Sequence, residues 1–385
     1  MSTPSLVSRL PQVGTTIFTQ MSQLAIDHGA VNLGQGFPDF ACDPALVDLV
    51  TAAMRAGHNQ YPPMTGLPAL RAAIAAKIAA TYGQRYDANT EITVTAGASQ
   101  AIQSAILAVV HPGDEVIVIE PAYDCYAPAV ALAGGVVVPV TMLLGEAGYS
   151  VPWDDVRAAV TPRTRMIVVN TPHNPTGTIL RQADLDALAA IVHDTPILVL
   201  SDEVYEHMVF DGEPHASVAR DPRLAERAFV VSSFGKTYHV TGWKIGYVAA
   251  PASLMTEFRK VHQYNVFCVN APMQHAIAAY LEDPAPWRDL PAFYQRKRDL
   301  FRDGLQGSRF TLLPSDGTYF QCVRYDAISS LSEADFARWL TSEIKVAAIP
   351  VSAFYSRPRE SKVVRFCFAK KDETLQLALE RLARL

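Results

Sequence analysis

Ile197-Leu-Val-Leu-Ser-Asp-Glu-Val-Tyr205 opens on four consecutive apolar residues and closes on two adjacent carboxylates and a tyrosine. An unbroken apolar run of this kind suits a strand buried on both faces, as strands are in a parallel sheet covered by helices. Acidic side chains at its C-terminal end then fall at the edge where open α/β sheets bind ligands. Further runs carry the same signature: Ile92 to Thr95, Glu115 to Ile119, Met166 to Val169, Phe229 to Val231 and Ile245 to Ala249. Helical patterns separate them. Ile102, Ala105, Ile106 and Val109 recur at helical spacing after Ala96-Gly97-Ala98-Ser99, so that loop ends at a helix N-terminus. Thr171-Pro-His-Asn-Pro-Thr-Gly177 makes a sharp loop, and Asp184 to Val192 reads as the helix after it. The alternation predicts an α/β fold with a mostly parallel sheet between helices. Beyond about residue 285 the texture changes: Pro284, Pro286 and Pro291 punctuate the chain, a charged helical pattern runs from Tyr294 to Leu305, and shorter strand-like pieces follow. A second, smaller domain is expected there.

The 385 residues suffice for one or two closely packed domains with a large core. With 49% hydrophobic and 18% charged residues, the chain has the balance of a globular enzyme. A net charge of -5 offers no general attraction for nucleic acid or anionic membrane, so small-molecule partners are expected. Cys42, Cys125, Cys268, Cys322 and Cys367 are odd in number and widely spaced, and they contain no C-x-x-C, which indicates neither a disulfide framework nor a metal site. Met1 to Gln20 lacks a basic start followed by an apolar core, and no stretch approaches the ~18 uninterrupted apolar residues of a membrane span. The expectation is an unprocessed cytoplasmic protein.

Val230-Val-Ser-Ser-Phe-Gly-Lys-Thr237 places Lys236 just after a buried strand, with Ser233 three residues before it. A lysine that is partly desolvated, or close to another cation, loses its proton readily and can attack an aldehyde to form a Schiff base. The alternative is a solvated loop lysine. A nucleotide-binding phosphate loop is excluded, because that motif needs glycine at position 230, which is valine. Lys244, in Thr241-Gly-Trp-Lys-Ile-Gly246, supplies a second cation that could neutralise a phosphate, or it is a surface charge. Asp202 could pair with a pyridinium nitrogen and keep that ring electron-withdrawing. Tyr205 and Asn174 could bind a phenolic oxygen, against the alternatives of a core tyrosine and a turn asparagine. Ala98, Ser99 and Gln100 could turn backbone N–H groups and a hydroxyl toward a phosphate, or Ser99 simply caps the helix. Tyr123 could lie on a cofactor ring or pack in the core. Arg365, in the apolar strand Val363-Val-Arg-Phe-Cys-Phe-Ala369, needs an anion: a substrate carboxylate or a structural acid.

Tyr61 with Gly66 and Leu70-Arg71, Asn174-Pro-Thr-Gly177, Asp202-Glu-Val-Tyr205, Ser233-Phe-Gly-Lys236 with Gly242-Trp-Lys244, and Arg365 resemble, in order and spacing, the class I aminotransferases that use pyridoxal 5'-phosphate (PLP). Asn32-Leu-Gly-Gln-Gly-Phe-Pro-Asp39 and Gly235-Lys-Thr-Tyr-His-Val-Thr-Gly-Trp-Lys244 are most similar to the methionine aminotransferase and kynurenine or glutamine transaminase subgroup. Lys244 stands where many family members have arginine, so a point charge replaces a fork.

The resemblance implies fold type I: a large domain, 41–284, with a mostly parallel seven-stranded sheet, and a smaller α+β domain made of 1–40 and 285–385. It implies that Lys236 carries PLP as a Schiff base, Asp202 pairs with the ring nitrogen, Asn174 and Tyr205 bind the phenolic oxygen, and Tyr123 stacks on the ring. Ala98, Ser99, Gln100, Ser233 and Lys244 would cradle the phosphate. Tyr61 would reach the phosphate of a neighbouring subunit in a homodimer. Arg365 would grip the substrate carboxylate, Gly36 would allow close backbone approach, and Phe18 with the partner's Phe267 would line the side-chain pocket. The expected reaction moves the amino group of an uncharged, largely apolar donor to a 2-oxo acid, with methionine first and aromatic residues or leucine next. Kynurenine or glutamine transamination and β-elimination from cysteine S-conjugates are the alternatives, and a non-catalytic PLP-binding regulator ranks last.

Overall fold

The computed structural model describes residues 6–385; residues 1–5, which belong to the 1–40 expectation, lie outside the described residues. Seven strands build the main sheet: β1 (Ile92–Thr95), β2 (Glu115–Glu120), β3 (Val136–Thr141), β4 (Thr164–Asn170), β5 (Leu198–Asp202), β6 (Ala228–Ser233) and β7 (Gly246–Ala249). Their spatial order is β1-β7-β6-β5-β4-β2-β3. All neighbours run parallel except β7, which is antiparallel to both β1 and β6. The expectation of a mostly parallel seven-stranded sheet is met. The strand absent from the sequence reading is β3, where Pro139 interrupts the run Val136–Thr141. Proline cannot donate to a ladder and is tolerated at an edge, and β3 is the edge strand, bonded only to β2.

Alternate residues of the same strands feed two separate cores, which is why these runs read as continuously apolar. Val116, Val118, Met166, Val168, Phe229 and Val231 pack with Ala101, Ile102 and Phe258 on one face. Ile117, Ile119, Ile167, Val169, Val199 and Val230 pack with Leu185, Leu188 and Ile74 on the other. A third cluster joins Met21 and Leu33 to Tyr294, Phe301, Phe336 and Phe366, and it also takes in Tyr205, Met208 and Phe210. It surrounds an antiparallel sheet of β8 (Thr311–Leu312), β9 (Phe320–Arg324), β10 (Ile349–Pro350) and β11 (Val363–Cys367), in the order β8-β9-β11-β10. Val31–Asn32 adds to this region by pairing in parallel with Val346–Ala347. No helix among the described residues is long and apolar enough to cross a membrane.

One buried charge cluster ties the main sheet to the segment after β5. Lys77, on the Pro68–Tyr82 helix, donates to Glu206 at 2.7 Å. The same carboxylate accepts from Ser232 at 2.5 Å, Tyr82 at 2.5 Å and Tyr247 at 3.0 Å. Burial alone would raise the Glu206 pKa, but the Lys77 ammonium, with His207 and the Ser232 hydroxyl, holds it well below the usual carboxylate range. Removing one partner of such a pair leaves an uncompensated charge, at a cost of about 3–5 kcal/mol. Lys77→Met should lower the unfolding free energy measured by denaturant titration by that amount, with most of the loss recovered in Lys77→Met/Glu206→Gln. A change below about 1 kcal/mol in the single variant would contradict this account.

Candidate active site

The register of the strands sets the site. Gly246 lies level with Thr95 on one side and Ser233 on the other, and Asn170 lies level with Asp202. The segments that follow β1, β2, β4, β5 and β6 therefore open on one edge. Because β7 runs the other way, the residues that precede it reach the same edge, and Lys244 is among them. Phe18, Gly36, Ala98, Ser99, Tyr123, Asn174, Asp202, Tyr205, Ser233, Lys236, Lys244 and Arg365 all line a single cavity there.

Lys236 sits on the one-turn helix Phe234–Thr237 that follows β6. Its Nζ donates to the Tyr319 hydroxyl at 2.9 Å and to the Gly36 carbonyl at 3.2 Å. Burial pushes its pKa down to about 8; Arg365 and Lys244 act in the same direction, opposed by Cys367 and Asp202. Asp202 ends β5 and is buried, with Oδ2 accepting from the Tyr126 hydroxyl at 2.6 Å and Oδ1 from the Val204 N–H at 3.3 Å. Burial raises its pKa to about 6, and the Tyr126 and Val204 donors restrain the rise. Asn170, at the end of β4, donates to the Asp202 carbonyl at 2.7 Å and accepts from the Asn174 N–H at 2.8 Å. It fixes both neighbours at once.

Arg365 is fully buried in β11. It donates to Asn174 Oδ1 at 2.6 Å and to the Gly34 carbonyl at 3.0 Å, its guanidinium lies 3.9 Å from the Phe320 ring centroid, and its Nε has no partner. These partners are neutral, so the cation retains an unmet demand for an anion. Across the cavity, Gly97 adopts φ +77° and gives the Ala98–Val109 helix no side-chain cap, leaving its first N–H groups available. A Cβ on Gly97 would stand 3.5 Å from the Lys244 Nζ, so the lysine lies against this loop. Uncapped N–H groups, a lysine and the nearby hydroxyls of Ser99, Ser233 and Thr241 fit a phosphate.

Some expected residues stand apart. The Gln100 side chain turns away, with its carbonyl on the Ala96 N–H at 3.0 Å and its amide on Ser104 at 2.7 Å, so only its backbone N–H is left for an anion. Tyr61 and Phe267 pack edge to face on each other at 5.3 Å; they are 82% and 44% exposed and do not line this chain's cavity. The sequence reading gave no role to Tyr126, Asn170 or Tyr319. Asn170 carried a usable signal, since it is a polar residue closing an apolar strand beside Asp202.

The family model for aminotransferase class I and II matches residues 29–382. The chain belongs to this family. It is 52% identical over 379 residues to the methionine aminotransferase of Escherichia coli, covering 98% of each chain. A solved structure of an Escherichia coli methionine aminotransferase superposes with a TM-score of 0.97 at 50% identity, with 100% of both chains covered. The N-succinyldiaminopimelate aminotransferase of Mycobacterium tuberculosis superposes at 0.95 with 42% identity, covering 99% of this chain and 100% of that one. Kynurenine–oxoglutarate transaminase 1 of Rattus norvegicus is 34% identical over 410 residues, covering 98% of this chain and 97% of that one.

The aminotransferase is thus a PLP-dependent transaminase of fold type I, acting on an amino acid and a 2-oxo acid. Its cavity suits that coenzyme: an uncapped helix end for the phosphate, a buried carboxylate for a ring nitrogen, and an amine for the aldehyde. Since burial disfavours the ammonium, half of the Lys236 amine should be neutral near pH 8, against an ordinary lysine value of 10.5. The rate at which the apoenzyme captures PLP, followed by stopped-flow absorbance, should rise about tenfold per pH unit below 8 and level off above it. A rise continuing to pH 10 would contradict the desolvation argument.

Proposed function

We propose that the aminotransferase takes the amino group from an uncharged, largely apolar amino acid, with methionine first and aromatic residues or leucine next, and that Lys236 is both tether and base. When bound, PLP supplies an electron-withdrawing ring that weakens the substrate's Cα–H bond. Asp202 holds the proton on the ring nitrogen, and Tyr126 holds Asp202. Asn174 and Tyr205 bind the phenolic oxygen, and Tyr123 covers the ring face. The N–H groups of Ala98, Ser99 and Gln100, with Ser233 and Lys244, hold the phosphate. Arg365 grips the substrate carboxylate with two parallel N–H bonds, and Gly36 lets the backbone approach it. The Lys236 amine, when not covalently engaged, would take the Cα proton and later return it. The kinetics are then ping-pong.

Supporting the choice of donor, Arg365 is the only arginine that lines the cavity among the described residues, and Phe18, Val204 and Phe320 give it apolar walls. A donor with a side-chain carboxylate would meet no second guanidinium there. The 52% identity to a methionine aminotransferase points the same way. The exposed Tyr61–Phe267 pair supports a homodimer in which these residues complete a second copy's site. Among the described residues, 6–40 and 285–385 form the unit that closes over substrate, against 41–284, and the enzyme works in the cytoplasm.

A donor panel in the first half-reaction tests the substrate. Methionine, phenylalanine, tyrosine and leucine should discharge the coenzyme with kcat/KM at least about tenfold above aspartate, from pocket contacts of about 1–3 kcal/mol. Aspartate or a succinylated acidic donor as much the best substrate would defeat this reading. The same panel should carry glutamine and also kynurenine, whose transaminases are relatives at 34–36% identity. With S-substituted cysteine the expected product is the intact 2-oxo acid, whereas pyruvate as the main product would make β-elimination the activity.

A further inference from the structure

Tyr319 has no part in the reaction as described so far, yet it is the side chain that the Lys236 amine touches. It is fully buried, just before β9, with its ring edge-on to Tyr205 at 5.1 Å and to Phe320 at 4.9 Å. Its hydroxyl donates to the Gly36 carbonyl at 2.5 Å. That bond commits the hydroxyl's only hydrogen, so Tyr319 faces Lys236 as an acceptor alone. The amine's second bond, at 3.2 Å, goes to the same Gly36 carbonyl.

A neutral amine has two hydrogens and one lone pair. Here both hydrogens have acceptors, in the Tyr319 oxygen and the Gly36 oxygen, so the lone pair stays free. A tyrosine donating to Lys236 would occupy that lone pair, and the Gly36 carbonyl prevents this arrangement.

The backbone that delivers Tyr319 is tightly determined. A Cβ on Gly317 would come within 2.7 Å of Pro172 and 2.8 Å of the Met208 carbonyl. Thr318 adopts φ +67°, a conformation β-branched residues avoid, and is held there by its N–H on Met208 O at 2.9 Å and by its hydroxyl accepting from Phe320 N at 3.0 Å. A Cβ on Gly36 would stand 2.9 Å from the Phe320 ring, so the carbonyl that orients the hydroxyl is equally confined.

We propose that Tyr319 is a positioning residue: its hydroxyl, oriented by the Gly36 carbonyl, holds the Lys236 amine whenever that amine is not covalently engaged, and keeps the lone pair free for the substrate's Cα proton. The proposal rests on the reading of Lys236 as the base. In that step the proton passes to the nitrogen lone pair and the electron pair of the broken C–H bond stays with the carbon, so nothing beyond the coenzyme is required. The amine's titration is also set by Cys367, Arg365, Asp202 and Lys244, and the Tyr205 and Tyr319 ring centroids lie 5.5 Å from its Nζ.

Tyr319→Phe keeps the ring and removes the hydroxyl. In the apoenzyme, trace acetylation read by mass spectrometry on the Lys236 peptide should show an apparent pKa lower by about one unit, because the ammonium loses an acceptor. In the loaded enzyme, removal of the methionine Cα proton should slow by about 10- to 100-fold, with a larger isotope effect on α-deuteration and a donor KM within about threefold of wild type. An unchanged labelling profile and isotope effect would overturn the proposal, as would a loss confined to KM and melting temperature. Lys236→Ala separates the two ideas: proton removal surviving in that variant sinks the base reading, whereas a dead Lys236→Ala beside a normal Tyr319→Phe sinks only the role of Tyr319. If Tyr319→Phe fails to fold, 3-fluorotyrosine at position 319, a weaker acceptor of the same shape, should shift the labelling profile in the same direction. No shift would count against the proposal.

Discussion

The Lys236 amine is held out of water at the edge of the main sheet, in contact with one hydroxyl and one carbonyl, and its proton is correspondingly loosened. The same dry environment acts in the opposite sense on Asp202, raising its pKa to about 6. An amine half free of its proton near pH 8 and a carboxylate that can share a proton near pH 6 are two outcomes of a single desolvation. Both depend on the strands that end together at this edge, since a shift of register would carry Asp202 away from Asn170 and Ser233 away from Gly246.

The cations around this pair divide the cavity by function. Lys244 and the uncapped helix end meet at the loop between β1 and that helix, while Arg365 comes from the second sheet with neutral partners only. A ligand bearing one anion for each cation would satisfy both demands, and the amine and the carboxylate line the same cavity. The antiparallel direction of β7 is what brings Lys244 into reach. Gly246 has no room for a side chain, with Ser232 O and Ala98 N at 2.6 and 3.2 Å from a hypothetical Cβ. Tight packing of β7 against its neighbours therefore fixes the lysine's approach.

Much of this was legible in the residues because strands buried on both faces have to be apolar, so their polar endings stand out. Lys236, Asp202 and Arg365 each close or interrupt such a run, and the structure sets all three around one cavity. The strand Val136–Thr141 was obscured by Pro139, whose cost vanishes at a sheet edge that the sequence does not reveal. Tyr126 and Tyr319 were unreadable because a supporting tyrosine and a core tyrosine look alike until their hydroxyl partners are known. Gln100 sits at the expected helix start, but its side chain serves the loop and the helix, a choice made by Ala96 and Ser104. Tyr61 and Phe267 lie outside this chain's cavity, a placement that no intrachain pattern encodes.

Borohydride reduction of the PLP-loaded enzyme, followed by proteolysis and mass mapping, tests the central assignment most directly, because reduction locks the coenzyme to whichever nitrogen carries it. The added mass is expected on the peptide containing Lys236, and it should be lost when the enzyme is first converted by methionine. The label on Lys244 or any other lysine, or no label at all, would contradict it.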